Sequence, residues 1–271
     1  MSIVFVGGGN MAAALIGGML AGDFSADEIT VVEPTEAARA SLVERFGISA
    51  VGSAGAAPLP ARALVLAVKP QQMEAALAAY RGRLGDTLVV SIAAGLRIAA
   101  LSRWLGGHRR VVRCMPNTPA LIRAGITGLF ADPSVDAAGR ALAERLLAAV
   151  GATVWLAEEA QMDAVTAISG SGPAYVFHFI EALESAAAGF GFDGPTARKL
   201  ALDTVLGAAR LAAASDESPA TLRERVTSKG GTTAAALAVM GERDLVGLVA
   251  AATRAAEARG RELGDELGGE A

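Results

Sequence analysis

The chain has 271 residues, 52% of them hydrophobic and 19% charged, and a formal net charge of −4, which suits packed domains and rules out a disordered tail. The acidic balance, with no Lys/Arg run interleaved with aromatics, argues against nucleic acid as a partner. One cysteine, Cys114, and two distant histidines, His108 and His178, permit no intrachain disulfide and suggest no metal site; a cytoplasmic location is expected.

Ile3–Val6 reads as a strand and Met11–Leu20 as a helix. Residues Ile3 to Gly22 carry no charge, but Gly7, Gly8, Gly9, Asn10, Gly17 and Gly18 break the run and no Lys or Arg precedes it. A strand, turn and helix explain it better than a signal peptide or a membrane span, so no membrane is expected. Ile29–Val32 is a second strand, followed by a helix through Phe46. Further strands are expected at Ala63–Val68, Leu88–Ile92, Val111–Cys114, Thr127–Phe130 and Thr153–Leu156. Strands alternating with helical stretches give βαβ units in a mostly parallel sheet.

From Glu158 the pattern is helical. Gly170, Gly172 and Pro173 interrupt a stretch reaching Phe190, and Gly191–Gly194 is a turn before a helix led by Pro195. Ser215–Pro219 and Lys229-Gly230-Gly231 punctuate the remaining helical stretches, and Gly264–Ala271 reads as a frayed tail. The fold class is therefore α/β. An N-terminal Rossmann dinucleotide-binding domain, residues 1–157, precedes an all-helical domain, residues 158–271. The later helices are apolar on more than one face, as in Ala174–Leu183, which predicts a dimer through this half.

Gly7-Gly8-Gly9-Asn10-Met11-Ala12 fits G-x-G-x-x-A. It follows an apolar strand and opens a helix, which makes it a dinucleotide signature. Gly7 permits the tight turn, Gly9 lets backbone approach the pyrophosphate, and Ala12 lets the helix pack close. The start of the helix, at Asn10 and Met11, offers free N–H groups and a positive dipole end. Glu33 ends the second strand about 20 residues later, where an acid receives the ribose 2′-OH and repels a 2′-phosphate. Val68, Lys69 and Pro70 follow another strand, and Ala93 and Gly95 the next, so both loops are expected to touch the cofactor. Asn117, bracketed by Pro116 and Pro119, has a two-sided amide able to orient the nicotinamide or the substrate.

Two glycine–hydroxyl clusters lie in the helical half. Ser169-Gly170-Ser171-Gly172-Pro173-Ala174-Tyr175 is one; Thr227-Ser228-Lys229-Gly230-Gly231-Thr232-Thr233 is the other. The second has the makings of an anion nest suited to a carboxylate, although either could simply cap or kink a helix. Cys114 reads as a small buried hydrophobe, His108 as a surface loop residue, and His178 as packed or interfacial rather than catalytic.

Taken in order, Gly7–Ala12, Val68-Lys69-Pro70-Gln71, Met115–Pro119, Ser169–Tyr175 and Thr227–Thr233 resemble the pyrroline-5-carboxylate reductase family over almost the whole chain. The resemblance implies that NADPH or NADH reduces 1-pyrroline-5-carboxylate to L-proline, the last step of proline synthesis. It implies an intertwined helical homodimer, often assembled into larger homo-oligomers, with a pocket shared across it. It assigns the substrate carboxylate to the backbone at Gly231, Thr232 and Thr233, near Ser228 and Gly230, and the ring nitrogen to the Thr233 hydroxyl as the catalytic contact. Ser171 and Gly172 would line the pocket, with Asn117 on the nicotinamide side.

Two positions depart from the family pattern. Lys229 stands where proline is common. Glu33-Pro34-Thr35 and Ser53-Ala54 replace the small polar or basic residues, and the nearby Asn, that accompany NADPH; NADPH against NADH stays open. A β-hydroxyacid dehydrogenase would need a lysine about a turn after Gly172, and this chain has none before Lys199. A cofactor-sensing regulator would have no use for the Gly231-Thr232-Thr233 nest.

Overall fold

The computed structural model describes residues 2–269. Eight strands form one sheet: β1 (Ile3–Val6), β2 (Ile29–Val32), β3 (Ser49–Val51), β4 (Ala63–Leu66), β5 (Leu88–Ser91), β6 (Val111–Met115), β7 (Gly125–Ala131) and β8 (Gly151–Trp155). Their order is β3-β2-β1-β4-β5-β6-β7-β8. Ile3 pairs with Ile29 on one side and Ala63 on the other, both parallel, so the order reverses beside β1. β6 and β7 are antiparallel, with Val112 opposite Ala131, while the other pairings are parallel.

The central strands are buried on both faces, which is why they read as unbroken apolar runs. Ile3 and Phe5 point to one layer, with Leu15, Ile16 and Met19 of α1 (Asn10–Leu20) and Leu146 of α5 (Ala137–Ala148). Val4 and Val6 point to the other, with Met73 and Leu77 of α3 (Pro70–Leu77) and Leu101 and Trp104 of α4 (Ile98–Trp104). Each fully buried large aliphatic side chain contributes roughly 1.5–3 kcal/mol. α2 (Glu36–Phe46) follows β2 and ends at Gly47, whose positive φ of 66° closes the helix.

Beyond Trp155 every described element is helical. These are α6 (Gln161–Val165), a π-helical turn at Thr166–Gly170, α7 (Gly172–Gly189), α8 (Gly194–Ala213), α9 (Pro219–Arg225), α10 (Thr232–Glu242) and α11 (Leu245–Gly268). Asp193 caps α8 and Ser218 caps α9, each accepting a backbone N–H three residues on.

The sheet gives way to helices near residue 157, but the chain divides into compact units elsewhere. One unit runs to Ser171 and takes in the chain from Ala255; the other is Gly172–Arg254. The reason lies in the C-terminal end of α11, which the sequence reads as frayed. Asp265 pairs with Arg97 at 2.5 Å, the Gly268 carbonyl accepts from Arg103, and Gly264 lies against Gly95. These contacts hold the part of α11 from Ala255 to Gly268 within the sheet unit. Glu270 and Ala271 fall outside the described residues.

Within the Gly172–Arg254 unit, α7 and α8 pack as a pair. Only Ala197 and Ala201 are buried there, while Phe177, Phe190, Leu211, Val246 and Leu248 are exposed. No helix among the described residues is long and apolar enough to cross a membrane.

Candidate active site

The order reversal places the carboxyl ends of β1 and β4 at the sheet's switch point, where open α/β sheets bind ligands. The loop from β1 enters there. Gly7 has φ +97°, and a Cβ on it would lie 2.9 Å from both the Ala67 carbonyl oxygen and Val68 Cγ1. Only glycine lets this turn press against the loop after β4. A Cβ on Gly8 would strike Leu42 Cδ1 at 2.5 Å, whereas one on Gly9 would meet nothing within 4 Å. Gly9 thus borders open space at the start of α1, with Asn10 exposed and Met11 half-buried beside it. No side chain caps α1, and Ala12 is buried against the sheet. An uncapped helix start facing an open cradle fits a pyrophosphate.

The Glu33 carboxylate is fixed from two sides. Gly8 N–H donates to Oε2 at 3.0 Å and Thr35 N–H to Oε1 at 2.9 Å. Arg39, which the sequence did not single out, donates from Nη1 to the carbonyls of Glu33 (2.7 Å) and Pro34 (2.8 Å). Its only sequence signal is its place one turn into the helix after Pro34.

Lys69 is the exposed N-cap of α3 and Pro70 its first residue, so Val68-Lys69-Pro70 is a rigid lip beside the Gly7 turn. Ala93 and Gly95 follow β5 on the same sheet edge, Gly95 with φ +79°. All the sequence-expected cofactor residues therefore stand at the carboxyl ends of β1, β2, β4, β5 and β6.

Asn117, just past β6, is buried. Its Nδ2 donates to the Ser169 carbonyl at 3.0 Å and its Oδ1 accepts from Ile126 N–H at 2.9 Å. One donor and one acceptor of the amide are engaged within the chain, so Asn117 has a structural contact beside the direct reading of nicotinamide or substrate that the sequence suggests. The π-helical turn that it touches closes with Ser171 N–H donating to Thr166 O at 2.8 Å, and it leads directly into Ser171 and Gly172. Arg113, 4% exposed at its side chain, anchors the same segment through Glu159 at 3.3 Å and Asp163 at 3.5 Å. Removing one partner from such a buried cluster costs far more than breaking a surface pair.

In the helical unit, Gly230 has φ +72° and Gly231 N–H donates to Ser228 O at 3.0 Å, forming a tight turn. A Cβ on Gly231 would lie 2.4 Å from Ser228 Oγ. Gly231 is the N-cap of α10 and supplies no capping side chain, which leaves the first N–H groups uncapped. Thr232 is exposed and Thr233 half-buried, the first two residues of the helix; Lys229 is exposed beside the turn. Such an end suits a carboxylate.

The remaining candidates have clear surroundings. Cys114 is fully buried, and burial pushes its thiol well above the usual range, so it is inert packing. His108 is not a free surface residue: it is half-buried with Nε2 2.9 Å from Thr87 O, and burial lowers its pKa. His178 is exposed on α7, with Nδ1 3.1 Å from Glu181.

Two family models match the chain. Residues 159–263 match "Pyrroline-5-carboxylate reductase dimerisation", and residues 2–95 match "NADP oxidoreductase coenzyme F420-dependent". A pyrroline-5-carboxylate reductase from Pseudomonas aeruginosa is 48% identical over 267 residues, 98% of each chain. The solved pyrroline-5-carboxylate reductase of Coxiella burnetii superimposes with a TM-score of 0.92 at 40% identity, over 97% of this chain and 98% of that one. A Plasmodium falciparum pyrroline carboxylate reductase solved with NADP bound gives 0.85 at 27% identity, over the same shares. With near-identical length, a matching fold and a dinucleotide cradle at the switch point, the chain belongs to the pyrroline-5-carboxylate reductase family of NAD(P)-dependent oxidoreductases.

Proposed function

We infer that this chain reduces 1-pyrroline-5-carboxylate to L-proline with NADPH or NADH, the last step of proline biosynthesis. The observation that carries the reading is the 48% identity to a reductase of that name across 98% of both chains. The cofactor supplies a hydride, which adds its two electrons to the imine carbon. If the imine enters protonated, its nitrogen keeps that proton and becomes the ring amine, so no strong side-chain base is required.

What the reaction then needs is placement. The uncapped start of α1 at Gly9, Asn10 and Met11 fits the pyrophosphate, and the twice-held Glu33 carboxylate fits a ribose hydroxyl. Val68, Lys69, Pro70, Ala93 and Gly95 would border the rest of the dinucleotide. For the substrate, we assign the carboxylate to the backbone N–H groups that open α10 after Ser228, Gly230 and Gly231. The Thr233 hydroxyl would take the ring nitrogen; it makes no hydrogen bond among the described residues. Ser171 and Gly172 would line the pocket.

A homodimer, and larger homo-oligomers built from it, is the assembly we propose. A helical unit in which only Ala197 and Ala201 are buried leaves its large apolar side chains for a second copy to cover. We place the enzyme in the cytoplasm, in keeping with a single, buried cysteine thiol.

The purified protein, given 1-pyrroline-5-carboxylate and each reduced dinucleotide, should oxidise the cofactor and form stoichiometric proline. Tight dinucleotide binding with no proline formed would overturn the assignment.

A further inference from the structure

We propose that Asn117 is a positioning residue: its amide fastens the π-helical turn Thr166–Gly170 to the sheet and thereby sets where Ser171 stands. The inference rests on the substrate-lining role proposed above for that residue.

The geometry fixes which way the amide points. The Ser169 carbonyl can only accept and the Ile126 N–H can only donate, so Nδ2 faces Ser169 and Oδ1 faces Ile126. The bond spans 52 residues of sequence and joins the loop after β6, the edge of β7 and the turn. Ser169 O needs an outside donor for a covalent reason: its α-helical partner would be the nitrogen of residue 173, and Pro173 has no N–H. Asn117 supplies what proline cannot.

The turn itself leaves little slack. Ser171 N–H reaches five residues back to Thr166 O at 2.8 Å, while the hydroxyls of Thr166 and Ser169 fold back onto Met162 O and Val165 O at 2.8 and 3.0 Å. A Cβ on Gly170 would stand 2.6 Å from Met115 Cε, so the turn sits flush on the end of β6. A wide turn held this closely, immediately before Ser171, marks a segment whose position is specified.

The test uses the full-length protein with Asn117→Asp and Asn117→Ala. Asn117→Asp keeps the acceptor for Ile126 and replaces the donor with an oxygen that faces Ser169 O. Three quantities are read: the dissociation constant for NADPH by fluorescence, KM and kcat for 1-pyrroline-5-carboxylate at saturating cofactor, and amide exchange at Ser171. We expect KM to rise about tenfold, the order set by one buried carbonyl losing its donor. Exchange at Ser171 should quicken, and the NADPH constant should stay within about twofold, because in this role Asn117 acts on the turn and not on the cofactor. A matching loss of NADPH affinity would make Asn117 a direct cofactor ligand and overturn the proposal. So would unchanged KM and exchange in both variants. If Asn117→Ala does not fold, Asn117→Asp carries the same readings. A parent enzyme that forms no proline defeats the assigned reaction instead, while exchange and NADPH binding still report on the strut.

Discussion

The backbone N–H of Gly8 donates to Glu33 Oε2 at 3.0 Å, tying the tip of the glycine turn to the end of β2. The carboxylate is thus held, not free, at the place proposed for an adenosine ribose. A 2′-OH can donate to its remaining lone pairs, whereas a 2′-phosphate would meet a fixed like charge. Glu33→Ser should move the ratio of specificity constants towards NADPH by about tenfold, the scale of one like-charge contact in a partly solvated site. A ratio that does not move would make Glu33 a brace for the turn only.

The glycines of the turn should fail in different ways. Gly9→Val places its side chain in open space, so the fold should hold while dinucleotide binding weakens by tenfold or more, on the order of a lost pyrophosphate contact. Gly7→Val meets the Ala67 carbonyl at 2.9 Å in a left-handed backbone, so it should lower the melting temperature as well. A folded Gly9→Val with parental NADPH affinity would remove the site from this loop.

His108 predicts a pH dependence of stability. Burial lowers its folded pKa below the ordinary 6.5. A depressed value means that the unfolded chain binds the proton first. Its contribution is therefore complete above about pH 7 and is lost as the pH falls through the folded pKa. The melting temperature should fall between about pH 7 and 5, and His108→Gln, which can still donate to Thr87 O, should flatten that part of the curve. A parent-like slope in His108→Gln would assign the effect to other groups.

Much of the fold is legible in the sequence because the signals are local. The apolar runs at Ile3–Val6, Ile29–Val32 and Leu88–Ile92 are strands buried on both faces, and the Gly7–Ala12 turn carries its own context. β3 is not legible because Ser49–Val51 is three residues at a half-exposed sheet edge, too short for periodicity to register. The direction of β7 is a property of pairing, and nothing in Thr127–Phe130 encodes it. Gly264 and Gly268 look like fraying in sequence, but Gly264 packs closely on Gly95 and the Gly268 carbonyl accepts from Arg103. Asn117 is readable as special, yet its partners Ile126 and Ser169 are set by the tertiary fold. The role proposed for the Thr227–Thr233 turn comes from resemblance, and the uncapped start of α10 after Gly231 is the structural feature that supports it.

The exposed apolar faces of α7, α8 and α11 predict association. Light scattering at micromolar concentration should give at least twice the 27.3 kDa chain mass. Leu248→Glu, on an exposed face of α11, should lower that mass or weaken assembly without disturbing the sheet unit's cofactor binding. A parent that scatters as a single chain would sink the dimer.

Thr233 offers the sharpest separation of chemistry from stability. It is the second residue of α10, and the cap position belongs to Gly231, which has no side chain. Thr233 is therefore not the helix cap, and alanine at that position has the better helix propensity. Thr233→Ala should leave the melting temperature at or slightly above that of the parent, and dinucleotide affinity unchanged. Turnover should fall by roughly tenfold to a thousandfold, the range for one hydrogen bond made at the reacting nitrogen. Thr233→Ser should recover much of the loss, since it restores the hydroxyl without the methyl. Thr232→Ala should cost less, because Thr232 would act through its backbone N–H. Melting and turnover measured on the same Thr233→Ala sample decide the matter: parental kinetics, whatever the melting point, would take Thr233 out of the active site.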